Sequence, residues 1–323
     1  MRIGIVTGDV RGAGANFFSR LEQLDRANDY LKISKVQVRP VSFRVWLKDA
    51  LMTRPPNLDL DLVHQTSPTL GIKFTGPTIV SAQNFEADLL RAPIYKQIVS
   101  WSYRRADLVL VNSDYQKESL LKNYGLDEKR LCKVPLVVGD DFYPADKRQS
   151  EAVRAKYGLG QQFVVAVGQS RLAEQVFTEL RSRYRSKIDL VVLGKKQTSS
   201  TGIVGIRPAA KDLPALFSAA TLGVFAGQEC RQLLEMQKTG LPVVALSGGC
   251  RVEHGGEGVL FGLSGELSKL AFSLLADRGY RHQMGLKALK NARRSSWQKL
   301  VKETVRAYEL VASKNRIRSL NFN

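Results

Sequence analysis

The chain has few cysteines, few histidines and no long apolar run. Its three cysteines, Cys132, Cys230 and Cys250, lack C-x-x-C spacing and are too few and too scattered for a disulfide framework, so we expect a reducing compartment. Three histidines with no His or Cys pair at ligand spacing do not indicate a structural zinc site. Apolar stretches such as Phe163–Val167 are far shorter than the roughly 20 residues needed to cross a bilayer. These absences exclude disulfide-rich, zinc-finger and helical membrane proteins.

The beginning of the chain also lacks the marks of a targeting segment. Residues 1–6 enter a strand pattern directly, without a charged first region, a long apolar region or a small-residue cleavage site. We therefore expect a cytoplasmic protein without a removed leader, and peripheral contact with a membrane stays open.

Acidic residues are scarce relative to basic ones. The chain has 49 Lys and Arg against 30 Asp and Glu, a net charge of +19. The excess is uneven along the chain, with 22 against 17 in residues 1–150 and 27 against 13 in residues 151–323. Such an excess favours a polyanionic partner, which could be nucleotide phosphates, anionic lipid headgroups or nucleic acid. Solubility alone is an equally acceptable explanation, and no nucleic-acid motif supports the last alternative.

Short β-type runs alternate with amphipathic helical stretches along most of the chain. This alternation predicts βα units with mainly parallel strands, arranged as two six-stranded Rossmann-like sheets. The first set of predicted strands covers residues 3–6, 36–38, 62–64, 78–80, 108–111 and 133–137, and the second covers 163–167, 190–193, 202–205, 222–225, 242–245 and 258–261. The Gly- and Pro-containing segment 139–146 between them predicts a linker or hinge. A basic helical pattern follows through about Ser313, interrupted near Trp297.

Four ordered motifs carry a resemblance to a known family. Residues 106–135 read strand, serine, helix, strand, proline, and residues 212–220 precede a short strand. Residues 235–245 (EMQKTGLPVVA) and 248–261 complete the order. Together they resemble the family 4 glycosyltransferases, which retain the anomeric configuration of the sugar and have the GT-B fold.

The resemblance implies an α/β protein with two Rossmann-like domains facing a central cleft, and a C-terminal helix that crosses back to the first domain. The predicted acceptor domain is residues 1–140 with 300–323, and the predicted nucleotide-sugar domain is residues 147–299. The implied activity is that of a hexosyltransferase that uses a nucleotide diphosphate sugar as co-substrate, with no other cofactor and no metal required by the fold.

The family's E-x7-E motif falls on residues 227–235. Glu235 matches its second glutamate, which accepts hydrogen bonds from the nucleotide ribose, and a solvated helical glutamate is the alternative interpretation. The first glutamate, which contacts the transferred sugar, falls on Gly227. Glu229 is a candidate replacement from a shifted position.

The family also supplies an Arg and a Lys to the diphosphate, where charge develops as the bond breaks. The aligned positions are Gly168 followed by Gln169 for Arg and Glu174 for Lys, which leaves Arg171 as the nearest cation. Other candidate cations lie in loops expected at the carboxyl ends of strands, where open α/β sheets bind ligands. They are Lys195, Lys196, Arg207 and Arg231.

The N-terminal half contributes a third group of candidates. In the glycine-rich loop 8–14 (GDVRGAG), Gly12 and Gly14 allow backbone amides to approach a phosphate or sugar, although any βα turn favours glycine. Where the family commonly has His-Asp, this chain has Gln83 and Asn84, and a glutamine can orient a hydroxyl but cannot act as a general base. Arg171, Gln83 and Glu229 are thus the candidate catalytic residues.

Asn84, His64 and Trp46 are the candidates for the acceptor side. His64 matches a family position that often bears histidine, although a structural role is the alternative. Trp46 lies in the amphipathic stretch 42–54, which suits either an interfacial helix or ordinary core packing.

Three functional hypotheses follow from these residues. The first is an active transferase that moves a sugar to an unidentified acceptor. The second is a catalytically degenerate binding or assembly protein, motivated by Gln83, Gln169, Glu174 and Gly227. The third, a dinucleotide oxidoreductase built on residues 8–14, does not fit a second Rossmann unit with a late glutamate motif.

Overall fold

The chain forms two compact units. The computed structural model describes residues 1–7, 32–37, 59–68, 76–82, 93–184, 188–194, 199–200, 202–227 and 229–320. Unit 1 consists of Met1–Leu136 and Ser296–Asn323, and unit 2 consists of Val137–Ser295. The last 28 residues of the chain, Ser296–Asn323, therefore belong to the same unit as the N-terminal segment.

Unit 1 contains a parallel sheet of six strands in the order β2-β1-β3-β4-β5-β6. The strands are β1 (Arg2–Thr7), β2 (Lys32–Gln37), β3 (Leu62–Gln65), β4 (Thr78–Ser81), β5 (Leu108–Val111) and β6 (Leu131–Lys133). Strands β3, β4 and β5 are buried along their whole length. Parallel strands covered on both faces need continuous apolar runs, which is why the sequence pattern locates them.

The helices described in unit 1 are α1 (Pro93–Arg105), α2 (Asp114–Tyr124) and α10 (Trp297–Leu320). Helix α2 begins where the Ser113 side chain accepts a hydrogen bond from the Gln116 amide. It ends at Gly125, whose φ of 59° is the left-handed conformation that glycine adopts most readily. Helix α10 contacts β4. The predicted return of the C-terminal helix to the first domain is therefore confirmed.

Unit 2 contains a seven-stranded sheet in the order β13-β12-β11-β7-β8-β10-β9. Its strands are β7 (Phe163–Val167), β8 (Asp189–Leu193), β9 (Ser199–Ser200), β10 (Ile203–Ile206), β11 (Leu222–Phe225), β12 (Val243–Leu246) and β13 (Val259–Gly262). Six strands are parallel, as predicted. The seventh, β9, is a two-residue strand antiparallel to β10.

The helices of unit 2 complete a second Rossmann-like α/β fold. They are α3 (Lys147–Tyr157), α4 (Ser170–Tyr184), α5 (Leu213–Ala219), α6 (Cys230–Lys238), α7 (Cys250–Gly255), α8 (Leu267–Ala276) and α9 (Arg278–Ala292). Helices α4 and α8 pack on one face of the sheet with residues such as Phe177, Leu180 and Leu274 in the core. Among the described residues, no helix is both long and apolar enough to cross a membrane.

Two predictions near the junction of the units need correction. The strand predicted at residues 133–137 is β6, which ends at Lys133, because Pro135 has no amide hydrogen to donate to a sheet. The segment predicted as a linker packs onto unit 2. The Phe142 ring is buried and stacks on Phe217 with 6.3 Å between ring centroids, and the Ala145 amide donates to the Ser218 hydroxyl over 2.9 Å.

The uneven charge of the sequence halves disappears in the folded units. Unit 1 has 26 Lys and Arg against 16 Asp and Glu, and unit 2 has 23 against 14. The basic residues that follow Ser295 belong to unit 1, so the net charges become +10 and +9. The asymmetry between residues 1–150 and 151–323 therefore does not mark unit 2 as the more basic unit.

Candidate functional site

The sheet of unit 2 reverses its strand order between β7 and β11. From β7 the chain proceeds to β8 and β10 on one side, and it then crosses to β11, β12 and β13 on the other. Open α/β sheets bind ligands outside the carboxyl ends of the strands at such a reversal. The residues that follow β7 and β11 therefore define the candidate site.

Two glycines meet at this point. Gly168 follows β7 with a φ of 101°, a backbone conformation that side-chain-bearing residues rarely adopt. A Cβ atom on Gly168 would collide with the backbone nitrogen of Gly227, which follows β11. Gly168 is thus required for the close approach of the two loops.

Glu235 is buried in helix α6, which follows β11. Only 4% of the residue is exposed, and one carboxylate oxygen accepts a hydrogen bond from Arg231 Nη1 over 2.6 Å. The two residues lie one helical turn apart, at the i, i+4 spacing that allows such a pair. Arg231, predicted to contact phosphate, is therefore the ion-pair partner of the predicted ribose contact.

The environment of Glu235 disfavours its charge. The pKa of its carboxyl is raised from 4.5 to about 7, chiefly by burial. The positive charge of Arg231 opposes this rise, and the negative charges of Glu229 and Asp141 add to it. A carboxylate accepts hydrogen bonds from hydroxyls, whereas the protonated form also donates one. Arg231 thus favours the form of Glu235 that acts only as an acceptor.

Glu229 lies at the N-cap of helix α6 with its side chain exposed and without a capping hydrogen bond. Its charge reaches Glu235, so the structure brings these two acidic residues and Arg231 together.

Cys230 and Cys250 form a disulfide with their Cα atoms 6.5 Å apart. The expectation that the cysteines are too scattered to pair is therefore wrong for these two, and they no longer support a reducing compartment. The residues lie 20 positions apart in sequence. They open helices α6 and α7, which follow the neighbouring strands β11 and β12, and the sheet brings these strand ends together. Cys132 is the free cysteine.

Arg251 links the same two loops without a covalent bond. Its Nη1 donates to the Gly227 carbonyl over 3.1 Å, and its Nε donates to the Leu246 carbonyl over 2.8 Å. The side chain thus connects the loop after β11 to the end of β12.

Arg171 lies in the first turn of α4, the helix that follows Gly168, and its side chain is exposed. Gln169 and Glu174, which stand at the family's Arg and Lys positions, are neighbours of this turn. Among the described residues Arg171 has no ion-pair partner, and the amino terminus of the 15-residue helix adds a partial positive charge.

Arg207 lies in a loop at the carboxyl end of a strand, but this strand is not one of the two at the β7–β11 reversal. It follows β10, which is separated from β7 by β8, and its Nε donates to the Gly194 carbonyl over 3.0 Å. Lys195 and Lys196 lie outside the described residues.

His64 is a core residue of unit 1. The ring has no exposed surface, Nδ1 lies 2.7 Å from the Tyr308 hydroxyl in α10, and Nε2 lies 2.8 Å from the Ser81 hydroxyl in β4. Burial lowers the pKa of His64 to about 3, so the ring stays neutral at ordinary pH. An acceptor cannot reach this side chain, and we correct its predicted acceptor-side role to a structural one.

The remaining predicted residues cannot be placed, because Gln83, Asn84, Gly12, Gly14 and Trp46 lie outside the described residues. In the part of the chain that the structure describes, no group of three or more His, Cys, Asp or Glu side chains could hold a metal ion.

Solved structures of other proteins share this architecture over nearly the whole chain. Sucrose-phosphate synthase from Thermosynechococcus elongatus is similar over 97% of this chain and 100% of its own, with a TM-score of 0.73 and 13% identity. Anabaena Alr3699/HepE in complex with UDP and glucose has a TM-score of 0.70 and 13% identity over the same shares. The chain has the GT-B fold.

A third neighbour with this fold is an epimerase by its description. A putative UDP-N-acetylglucosamine 2-epimerase from Listeria monocytogenes is similar over 91% of this chain and 94% of its own, with a TM-score of 0.58 and 14% identity. No family model and no curated protein sequence matches the chain.

Sequence reasoning missed three contributors to the site: Arg251, Asp141 and the paired cysteines. A shared signal was present, since Cys230 and Cys250 are each followed by arginine and each comes shortly after a predicted strand. The order of the strands in the sheet was needed to see that these positions are neighbours.

Proposed function

We propose that unit 2 binds a nucleotide diphosphate sugar at the β7–β11 reversal and that the protein transfers the sugar, a hexose, to an acceptor with retention of configuration. The observation that carries the proposal is the buried carboxyl of Glu235 on the helix that follows β11. A buried carboxylate with one arginine partner keeps further acceptor positions, and the ribose diol of a nucleotide supplies matching donors.

The diphosphate would lie against the amino terminus of α4. The partial charge of this helix end and the Arg171 guanidinium both offset the phosphate charge. Gly168 permits the backbone to approach the ligand closely. Lys195, Lys196 and Arg207 are further candidate cations, and Arg231 would act through Glu235.

The proposed reaction breaks the bond between the sugar's anomeric carbon and the phosphate oxygen, and it forms a bond to an acceptor hydroxyl on the same face. The leaving phosphate takes the acceptor proton, so no protein base is needed, and Gln83 would only orient a hydroxyl. The absence of the family's two diphosphate-binding cations is the greater obstacle to catalysis. The electrons of the broken bond go to the phosphate, so positive charge is needed there. We assign Arg171 to that charge and Glu229 to the sugar.

The neighbours are consistent with this proposal. HepE has been observed with UDP-glucose as well as with UDP and glucose. The epimerases with the same fold act on a UDP-sugar according to their descriptions. Nucleotide sugars are thus the ligand class to test first, and both transfer and epimerisation should be assayed.

The test is a panel of UDP, GDP and ADP with the corresponding nucleotide sugars, measured by thermal unfolding. A ligand at about 100 times its Kd stabilises by about 2.7 kcal/mol, which corresponds to a rise of roughly 5–10 °C in the Tm of a domain of this size. Glu235→Ala should remove the shift, whereas Glu257→Ala, an exposed carboxylate of the same unit, should keep it. A panel in which no nucleotide shifts the Tm would refute the proposal.

A degenerate binding protein is the second candidate. The observation that favours it is the exposed Arg171 standing beside Gln169 and Glu174, where the resemblance implies two cations. Nucleotide binding without hydrolysis, transfer or epimerisation of any donor would support this candidate. Turnover that disappears in Arg171→Ala and Glu235→Ala would eliminate it.

A further inference from the structure

The Cys230–Cys250 disulfide lies at the carboxyl edge of the unit 2 sheet, beside the candidate nucleotide site. Cys230 is three residues after Gly227, and Glu235 follows it in the same helix. Cys250 directly follows Gly248 and Gly249, both of which have a positive φ. The bond therefore joins the helix that carries Glu235 to the loop that follows the neighbouring strand.

The Arg251 contacts show which two loops the disulfide holds together. Arg251 spans from the Leu246 carbonyl to the Gly227 carbonyl, so hydrogen bonds and the disulfide connect the same two loops. Gly227 also forms the close backbone contact with Gly168. With the disulfide intact, the start of α6 is tied covalently. After reduction, only the non-covalent contacts hold it.

The two cysteine residues differ in exposure. Cys230 is buried, with 5% of the residue exposed, whereas Cys250 is partly exposed. An external thiolate can therefore attack the Cys250 sulfur, and the electron pair of the broken S–S bond then leaves on Cys230. The amino terminus of the nine-residue helix α6 favours negative charge at that position.

We propose that Cys230 and Cys250 form a reversible thiol–disulfide modification site that controls nucleotide binding by unit 2, and this inference rests on the proposed function. A low-molecular-weight dithiol supplies two electrons and two protons. It first forms a mixed disulfide with Cys250 and releases Cys230 as a thiol. Its second thiol then frees Cys250, and the reductant leaves as its own disulfide.

Reduction should weaken nucleotide binding because the loops at the site must then be ordered when the ligand binds. A coupling of this kind between two sites typically changes affinity by about 5-fold or more. Linkage requires the reciprocal effect, so a bound nucleotide should make the disulfide harder to reduce by the same factor.

The experiment measures the affinity for UDP, GDP and ADP by calorimetry for the full chain, oxidised and after treatment with dithiothreitol. Maleimide labelling with mass spectrometry establishes the thiol state of each cysteine. We expect the reduced protein to bind at least about 5-fold more weakly. Reoxidation with oxidised glutathione should restore the affinity. The double variant Cys230→Ser/Cys250→Ser should bind nucleotide as weakly as the reduced protein, and dithiothreitol should not change its affinity.

Cys132→Ser is the matched control, because it removes the free cysteine of unit 1 and leaves the pair intact. It should respond to dithiothreitol like the unchanged protein. Since the oxidised and reduced forms of one chain are compared directly, misfolding of the double variant does not prevent the test.

Equal affinity in both redox states would overturn this inference and leave the proposed function standing. Labelling that finds Cys230 and Cys250 as free thiols under oxidising conditions would also overturn it. If neither the oxidised nor the reduced protein binds a nucleotide, both this inference and the proposed function are overturned.

Discussion

Replacing Glu235 by glutamine is expected to stabilise unit 2 at alkaline pH. In the unfolded chain the carboxyl ionises near pH 4.5, whereas in the folded protein burial raises its pKa to about 7. Between these values the unfolded state releases its proton first, so the free energy of unfolding falls as the pH rises. The difference between these two pKa values lowers the free energy of unfolding by about 3 kcal/mol at pH 8. Glutamine has no charge to bury and avoids this loss of stability.

Thermal unfolding at pH 4 and pH 8 tests this expectation. At pH 8 the Tm of unit 2 in Glu235→Gln should exceed that of the unchanged protein by roughly 6–12 °C, whereas at pH 4 the two should nearly coincide. Glu257→Gln, which changes an exposed side chain of the same unit, should show little difference at either pH. The reasoning would be refuted if Glu235→Gln had a lower Tm than the unchanged protein at pH 8, or if its Tm differed by the same amount at both pH values.

Nucleotide binding should change in the opposite direction. Glutamine keeps one carbonyl acceptor but loses the carboxylate charge, so the shift in Tm caused by a nucleotide should fall sharply in Glu235→Gln. A gain in stability accompanied by a loss of binding distinguishes a buried functional carboxylate from one retained for folding.

Three further predictions concern contacts in both units. Arg231→Leu removes the cation that lowers the pKa of Glu235, so nucleotide binding that depends on the carboxylate should require a higher pH, as measured by affinity against pH. Gly168→Ala should abolish nucleotide binding or the folding of unit 2, because its Cβ would collide with backbone, and unchanged binding would contradict the contact. Tyr308→Phe should lower the stability of unit 1 by about 1 kcal/mol through the lost His64 hydrogen bond and leave nucleotide affinity unchanged, as thermal unfolding and calorimetry can show.

The sequence predicted the sheets well because buried parallel strands are continuous apolar runs, as Phe163–Val167 illustrates. It failed where a strand lacks that pattern, as in the polar two-residue strand Ser199–Ser200. The edge strand β6 was displaced because Pro135 stands inside the apolar run.

The candidate site was predicted only in part. Resemblance located Glu235, but its burial depends on tertiary packing that no local pattern reports. The Arg231–Glu235 pair has the i, i+4 spacing of a helical ion pair and could have been inferred from sequence. The disulfide could not, because Cys230 and Cys250 become neighbours only through the order of β11 and β12. His64 was a candidate only through its match to a family position, and it is buried where Tyr308 of α10 packs against it.

The division of unit 1 into two chain segments has a consequence for synthesis on the ribosome. His64 and its partner Tyr308 are separated by 244 residues, which at about 5–20 residues per second takes roughly 12–50 s to translate. Unit 2 is one continuous segment, and its last residue, Ser295, is synthesised before Tyr308. The core of unit 1 therefore stays incomplete while all of unit 2 is translated, and His64 waits roughly 12–50 s for the helix that covers it.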